Sequence, residues 1–450
     1  MGMRAGGVPL VQSVGHELRA LLSPITPEMF VRDYWAKRPL FVKGFRDKYK
    51  GFFDGETFIR ALSIPGPTPD DFLRASFDKK TGARSSAASK APDEWASLAF
   101  KAHVEQAVPL FKAGATLCVT QIETRVPSLA PFLAAIKRQL GYPGKVCFNA
   151  YLSPPEAGFN WHFDGRIAST LQIEGTKRWR FSNRAAVAWP RTNGALRADG
   201  TGEYTDAKQG SQGTERIAFD ESDVTEVLLE PGDLLILPAG AWHDAQGGAT
   251  GSLALNLSFT AISYTLLVRN LLDAVLSARP DWRAPSPVLP LPGGAPGEVD
   301  PEGVASITAQ LGAAADALRA LAGDSAAVVR LWGSFVQNPN PGSPAPPAPA
   351  IATAPVVADQ RLRIRADGNI YAMLAEGGSR LCVSVGTSRG VEVEGEAVRF
   401  VQRMLAEKEF VARDCLGWNE GGRPWAWSEV EPLLNTLKRD GLIEDALAGP

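Results

Sequence analysis

Gly158-Phe-Asn-Trp-His162-Phe-Asp164 and, further along the chain, Pro231-Gly-Asp-Leu-Leu-Ile-Leu-Pro-Ala-Gly-Ala-Trp-His243 are the two stretches on which the fold turns. In an extended segment, residues i and i+2 point to the same face, so His162 and Asp164 can chelate one ion. In the second stretch a Pro-Gly turn, an apolar strand and a second turn deliver His243 at a strand end. Two imidazoles and one carboxylate make a facial triad that leaves three positions of an octahedral ion open, as non-haem Fe(II) requires. Catalytic zinc draws on the same donors, so the rest of the pocket has to decide between the two metals.

The next informative segment is Glu174-Gly-Thr-Lys-Arg-Trp-Arg-Phe181. Strand alternation puts Lys177, Trp179 and Phe181 on one face and Thr176, Arg178 and Arg180 on the other. The aromatic face is expected inside a barrel, where a lone cation needs an anionic partner. A dicarboxylate chelating the metal at one end would supply it at the other. Arg178, on the outer face, is the weaker candidate, and a solvated strand charge is the bland alternative for Lys177.

Around these segments lie short β-type runs bounded by Gly and Pro: 117–122, 146–152, 169–173, 177–181, 224–229, 234–237 and 252–259. Their even spacing points to a barrel or sandwich. Residues 16–112 read as mostly helical, with Thr26 as N-cap and Pro27 at the first helical position of one helix, and Asp54 opening another. The polar stretch 182–223 is too long for a hairpin turn and is expected to be an insertion at one barrel mouth. Beyond the barrel, 264–278 and 305–322 carry helical patterns, separated by a proline-rich connector at 280–301. Asn338-Pro-Asn-Pro-Gly-Ser-Pro cannot bury a core and reads as the start of an interdomain linker. A separate last module follows, with a strand at 361–364, helices at 396–407 and 429–439, and a Trp-rich hairpin around Trp418, Trp425 and Trp427. That order suggests a winged-helix-like fold.

The 450 residues allow two to four domains of ordinary size, and 45% hydrophobic with 21% charged residues is the composition of a folded globular protein. A net charge of −2 offers no global field for nucleic acid. Acidic residues outnumber basic ones from Ala358 to Pro450, which argues against nonspecific DNA binding by that module. Cys118, Cys147, Cys382 and Cys415 are far apart, without a CxxC pair, and are expected as buried thiols in a reducing cytosol. Neither a secretory signal nor a membrane-length apolar run is visible, so a cytoplasmic protein is expected. His16 and His103 sit in no motif and read as surface or helix residues, while Trp161 and Trp242 read as packing.

Taken together, several segments resemble the JmjC/cupin-like 2-oxoglutarate oxygenases, and among them the ribosomal oxygenase family. They are Phe30-Val-Arg-Asp-Tyr-Trp-Ala-Lys-Arg-Pro-Leu40, Asn149-Ala-Tyr-Leu-Ser-Pro-Pro155, the His-x-Asp, Leu171-Gln-Ile-Glu-Gly-Thr-Lys-Arg-Trp-Arg180, and Pro231-Gly-Asp to His243. The resemblance covers about residues 25–260. It implies an α+β chain built on a double-stranded β-helix: an N-terminal mostly helical region (1–114), a JmjC/cupin core (115–263), a helical dimerisation region (264–337), a Pro-rich linker (338–357) and a winged-helix-like domain (358–450). It also implies Fe(II) at His162, Asp164 and His243, 2-oxoglutarate with its distal carboxylate on Lys177, O₂ as oxidant, and a homodimer. Asn149 and Tyr151 match positions lining the co-substrate pocket. Asn256 and Ser258, on the small polar face of 252–259, are further lining candidates.

The leading expectation is therefore a dioxygenase hydroxylating a basic or polar side chain of a protein or peptide, such as a ribosomal protein. A second reading keeps the chemistry but takes a natural-product peptide whose leader is held by the C-terminal module. Demethylation through hydroxylation of an N-methyl group uses the same chemistry. A third reading is a non-catalytic cupin scaffold, distinguished by the absence of iron-dependent 2-oxoglutarate turnover.

Overall fold

The structure is a computed structural model that describes residues 9–13, 15–64, 72–77, 99–101, 104–205, 216–260, 262–277, 279–285, 301–338, 354–365, 370–385, 389–419 and 422–446. These fall into two compact units, one up to residue 260 and one from residue 262 onward.

In the first unit, β1 (Leu40–Val42), β2 (Leu73–Ser76), β3 (Ala99–Lys101), β4 (Thr116–Val119), β5 (Val146–Ser153), β6 (Gly158–Phe163), β7 (Ala168–Ser182), β8 (Gly194–Leu196), β9 (Gly202–Tyr204), β10 (Val224–Leu229), β11 (Leu234–Leu237) and β12 (His243–Phe259) join in one antiparallel sheet system. The path runs β1-β11-β7-β12-β5-β4-β2-β3, with β10 on β7 and β6 on β12. The two long strands make the barrel. The first part of β12 pairs with β6 and with the second part of β7, and its last part pairs with β5 and the first part of β7. Both strands therefore turn a corner, at Gly175 and at Gly251, where φ is +65° and +80°. A Cβ at Gly175 would stand 2.1 Å from the Gly251 carbonyl oxygen, so the close crossing needs glycine. The two runs expected at 169–173 and 177–181 are thus one bent strand.

The unit's helices are α1 (Glu17–Leu22), α2 (Pro27–Met29), α3 (Gly55–Ser63), α4 (Val104–Lys112) and α5 (Ala130–Leu140), and all but α2 give buried side chains to the core. Thr26 and Asp54 cap α2 and α3, accepting from the Met29 and Thr57 amides. Only one turn follows Pro27 before the chain loosens into a π-type turn at Phe30–Tyr34. Residues 16–112 are less helical than expected. β1, β2 and β3 lie among them because β1 pairs with β11, β2 with β4 and β3 with β2, a tertiary pairing that local periodicity does not carry. One continuous core runs from Leu10 to Phe259, and buries Leu22, Phe58, Leu133 and Phe148 completely. Each such side chain contributes roughly 1.5–3 kcal/mol.

Within the insertion at 182–223, β8 pairs with β6 and β9 with β8. Residues 206–215 of it, like His103, residues 286–300 of the connector and residues 339–353 of the linker, lie outside the described residues. Exposed His16 precedes α1 and does not enter the metal cluster.

The second unit holds α6 (Tyr264–Leu276), α7 (Pro301–Ala322) and α8 (Ser325–Gln337), then β13 (Arg361–Ile364), β14 (Ile370–Ala375), β15 (Arg380–Val385), β16 (Arg389–Glu394), α9 (Glu396–Glu407), β17 (Glu409–Val411), α10 (Trp427–Arg439) and β18 (Ile443–Asp445). Its strands form two antiparallel sheets, β17-β13-β18 and β14-β15-β16. Helix α8 packs on β14 and β15, and Arg330 pairs with Glu392, so the last module is not separate from the helices that precede it. The Trp-rich segment is no hairpin among the described residues: Trp418 follows a 3-10 turn into the core and Trp427 opens α10. No described helix is long and apolar enough to cross a membrane.

Candidate active site

The barrel opens into a cavity of about 630 Å³ whose lining includes His162, Asp164, Lys177 and His243. His162 on β6 and His243 at the start of β12 are register partners, which brings their rings to 4.2 Å between centroids. Asp164 follows the end of β6. One ligand atom from each of the three lies within 4.8 Å of the others. Each imidazole is fixed by its Nδ1, at 2.7 Å from the Asn160 carbonyl for His162 and 2.9 Å from the Ala241 carbonyl for His243. A carbonyl only accepts, so both Nδ1 atoms carry the proton and both Nε2 lone pairs are free for a cation. Burial, and then the nearby His162, pushes His243 down to about 4, which keeps it neutral and ligating at neutral pH. The donor set fits a divalent transition metal.

Lys177 is 3% exposed, with Nζ at 5.8, 5.4 and 5.7 Å from the Tyr151, Phe159 and Trp179 ring centres. No described carboxylate pairs with it, and burial pushes it down to about 8. The Trp179 ring neighbours both this cation and the metal cluster, stacked on His243 at 5.7 Å. Its buried Nε1 has no hydrogen-bond partner. An unpaired cation and an orphaned donor beside a three-donor cluster fit a ligand that is anionic at both ends. Arg178 is on the outer face, held by Glu226 and Gln246.

Asn149, Tyr151 and Asn256 line the same cavity. The Asn149 Oδ1 accepts from the Gln121 amide at 3.1 Å, and Asn256 stands opposite it in register. Ser258 does not line the cavity. One residue pair further along β12, it is buried opposite Cys147. Trp242 is packing, donating to the Ala218 carbonyl at 3.0 Å, whereas Trp161 packs on Phe219 and also lines the cavity. Cys118, Cys382 and Cys415 are buried, Cys147 is half-buried, and none of the four forms a disulfide.

Sequence reading missed Arg74, Cys118, Arg166 and Asn193 in the lining. The last of these had a signal, since an insertion following the ligand strand was expected at the barrel mouth. For Arg74 there was none, because β2 reaches the site only through its pairing with β4.

The JmjC domain family matches residues 130–267. Protein YxbC of Bacillus subtilis is 25% identical over 54% of this chain and 70% of its own length. Ribosomal oxygenase 1 of Gallus gallus is 29% identical over 50% of this chain, and the match spans 33% of that protein. The structure of YcfD, a ribosomal oxygenase from Escherichia coli, in complex with cobalt and 2-oxoglutarate aligns with 94% of this chain and 98% of its own, at 15% identity and a TM-score of 0.48. The chain thus carries a JmjC domain at residues 130–267 and is similar there to the ribosomal oxygenases.

Proposed function

We propose that this protein is an Fe(II)- and 2-oxoglutarate-dependent dioxygenase that hydroxylates a side chain of a protein or peptide. The observation that carries the reading is the buried, unpaired Lys177, one indole away from the His162, Asp164 and His243 cluster. His162, Asp164 and His243 would hold the iron, and Lys177 the distal carboxylate of 2-oxoglutarate. Bound together, iron, 2-oxoglutarate and O₂ supply the oxidising power that hydroxylates a carbon–hydrogen bond and releases succinate and CO₂. The chain's own part is positional. The Asn160 and Ala241 carbonyls orient the imidazoles, Trp179 and Phe159 keep water from the Lys177 ammonium, and Asn149, Tyr151 and Asn256 shape the co-substrate end.

The matching relatives make a ribosomal protein the first substrate to try. The remaining regions are assigned in the same reading: 1–114 supports the barrel, 115–263 is the catalytic core, 264–337 dimerises, 338–357 links and 358–450 is winged-helix-like. Exposed Tyr264 on α6 and Leu311 on α7, at 87% and 67%, favour the dimer. The test is succinate release from 2-oxoglutarate under Fe(II), ascorbate and O₂, with His162→Ala as control. Iron-dependent release lost in the variant is the expected result. Absence of release together with no binding of metal or 2-oxoglutarate would leave the scaffold reading.

A further inference from the structure

Beyond the metal ligands and Lys177, the charged side chains lining the cavity are two arginines, Arg74 and Arg166. Both are exposed and neither pairs with a described carboxylate. Several arginines of this barrel away from the cavity are occupied: Arg178 by Glu226, Arg180 by Asp244, Arg184 by Asp223 and Arg197 by Glu203. Position makes Arg74 and Arg166 converge on the cavity. Arg74 on β2, Cys118 on β4, Tyr151 on β5 and Ala254 on β12 are successive register partners across four strands. Cross-strand partners share a face, so Arg74 stands in the same row as the cavity residues Cys118, Tyr151 and Ala254. Arg166 lies between β6 and β7, two residues after the metal-cluster Asp164. The positive charge of both arginines, with that of Lys177, reaches the buried Cys118 thiol from the cavity side.

Among the described residues Asp164 is the only carboxylate in this lining, and it belongs to the metal cluster. A cationic substrate side chain would therefore meet two guanidiniums and, among the described residues, no spare acid. We propose that Arg74 and Arg166 select a peptide substrate whose reacting side chain is acidic, aspartate or glutamate, by binding its carboxylate while the neighbouring carbon faces the metal. This rests on the oxygenase reading and narrows its expected basic or polar side chain to an acidic one. Two guanidiniums suit the task because each offers a planar fork of donors matched to a carboxylate, and at the exposed rim neither is consumed by folding.

The test uses the full chain loaded with Mn(II) and 2-oxoglutarate, which binds without turnover. Fluorescein-labelled 13-residue peptide pools with the central residue fixed as Asp, Glu, Arg or Lys and degenerate flanks are titrated by fluorescence anisotropy. The Asp and Glu pools are expected to bind at least tenfold tighter than the Arg and Lys pools. The double variant Arg74→Glu, Arg166→Glu is expected to invert that order, and each single Arg→Gln variant to shrink the difference. Both sites are exposed, and an unchanged far-UV circular dichroism spectrum and melting temperature confirm that the variants fold. Equal binding of all pools, tighter binding of the basic pools, or an order that survives the double reversal would overturn the proposal. Failure of the oxygenase reading has a different signature: no succinate from the Fe(II) enzyme with any pool, while the anisotropy order stands.

Discussion

His162 and His243 face each other as register partners on two antiparallel strands, and each gives its Nδ1 proton to the carbonyl two residues before it, Asn160 and Ala241. The same local device thus fixes both tautomers, and the metal face is assembled by strand pairing. Replacing a ligand should therefore cost metal without costing fold. His162→Ala and Asp164→Asn are expected to weaken Mn(II) or Co(II) binding by more than the ~10–100-fold typical of a lost supporting hydrogen bond. Calorimetric titration with the metal checks the affinity, and thermal melting without metal should be shifted little, since neither residue belongs to the main core.

Lys177 should impose a pH limit on co-substrate binding. Burial brings its ammonium down from 10.5 to about 8, so the free enzyme loses this charge as pH rises through 8. The anion binds the charged form, and its Kd is expected to rise from pH 8 towards pH 10 by up to about tenfold per unit. Lys177→Arg should flatten that rise, because guanidinium stays charged throughout. The same shift has the opposite sign for the folding of the free protein. Between about pH 8 and 10.5 the unfolded chain holds a proton that the folded one has released, so this residue's contribution to stability increases with pH. Titration with 2-oxoglutarate in the presence of Mn(II), and urea unfolding of wild type against Lys177→Met, measure the two effects separately.

How much of this site was legible depended on whether its geometry is local. The His-x-Asp pair, the turn before His243 and the alternation around Lys177 are set within a few residues of chain, so strand periodicity alone placed His162, Asp164, His243 and Lys177 on the cavity. Ser258 had the right alternation but lies too far along β12, a distance that periodicity does not measure. Arg74 and the short strands β1 to β3 were invisible because they exist only through partners far away in sequence. The tie between α8 and the last module was hidden for the same reason.

Glu123 offers a second, independent pH test away from the cavity. It is fully buried, one oxygen accepts from the Phe148 amide at 3.0 Å, and the other has no partner. Burial pushes its carboxyl from 4.5 up to about 7. The folded protein therefore keeps a proton that the unfolded chain gives up above 4.5, and stability from this group is present below 4.5 and lost as pH rises through 7. Glu123→Gln should remove that decline, so the variant gains on wild type between pH 5 and pH 8. Urea unfolding at the two pH values gives the comparison.

The barrel corner yields the most direct stability test. Gly175 has φ +65° and a Cβ there would meet the Gly251 carbonyl oxygen at 2.1 Å, which is backbone and cannot swing aside. Gly175→Ala combines a left-handed conformation with a clash at the point where β7 and β12 cross, and is expected to cost roughly 3 kcal/mol or more. Gly114 also has a positive φ, +96°, but open space around its missing Cβ. Gly114→Ala should cost about 1 kcal/mol, from conformation alone. If urea unfolding gave the two variants equal losses, backbone conformation would account for both, and the close crossing of the long strands would not be what holds glycine at 175.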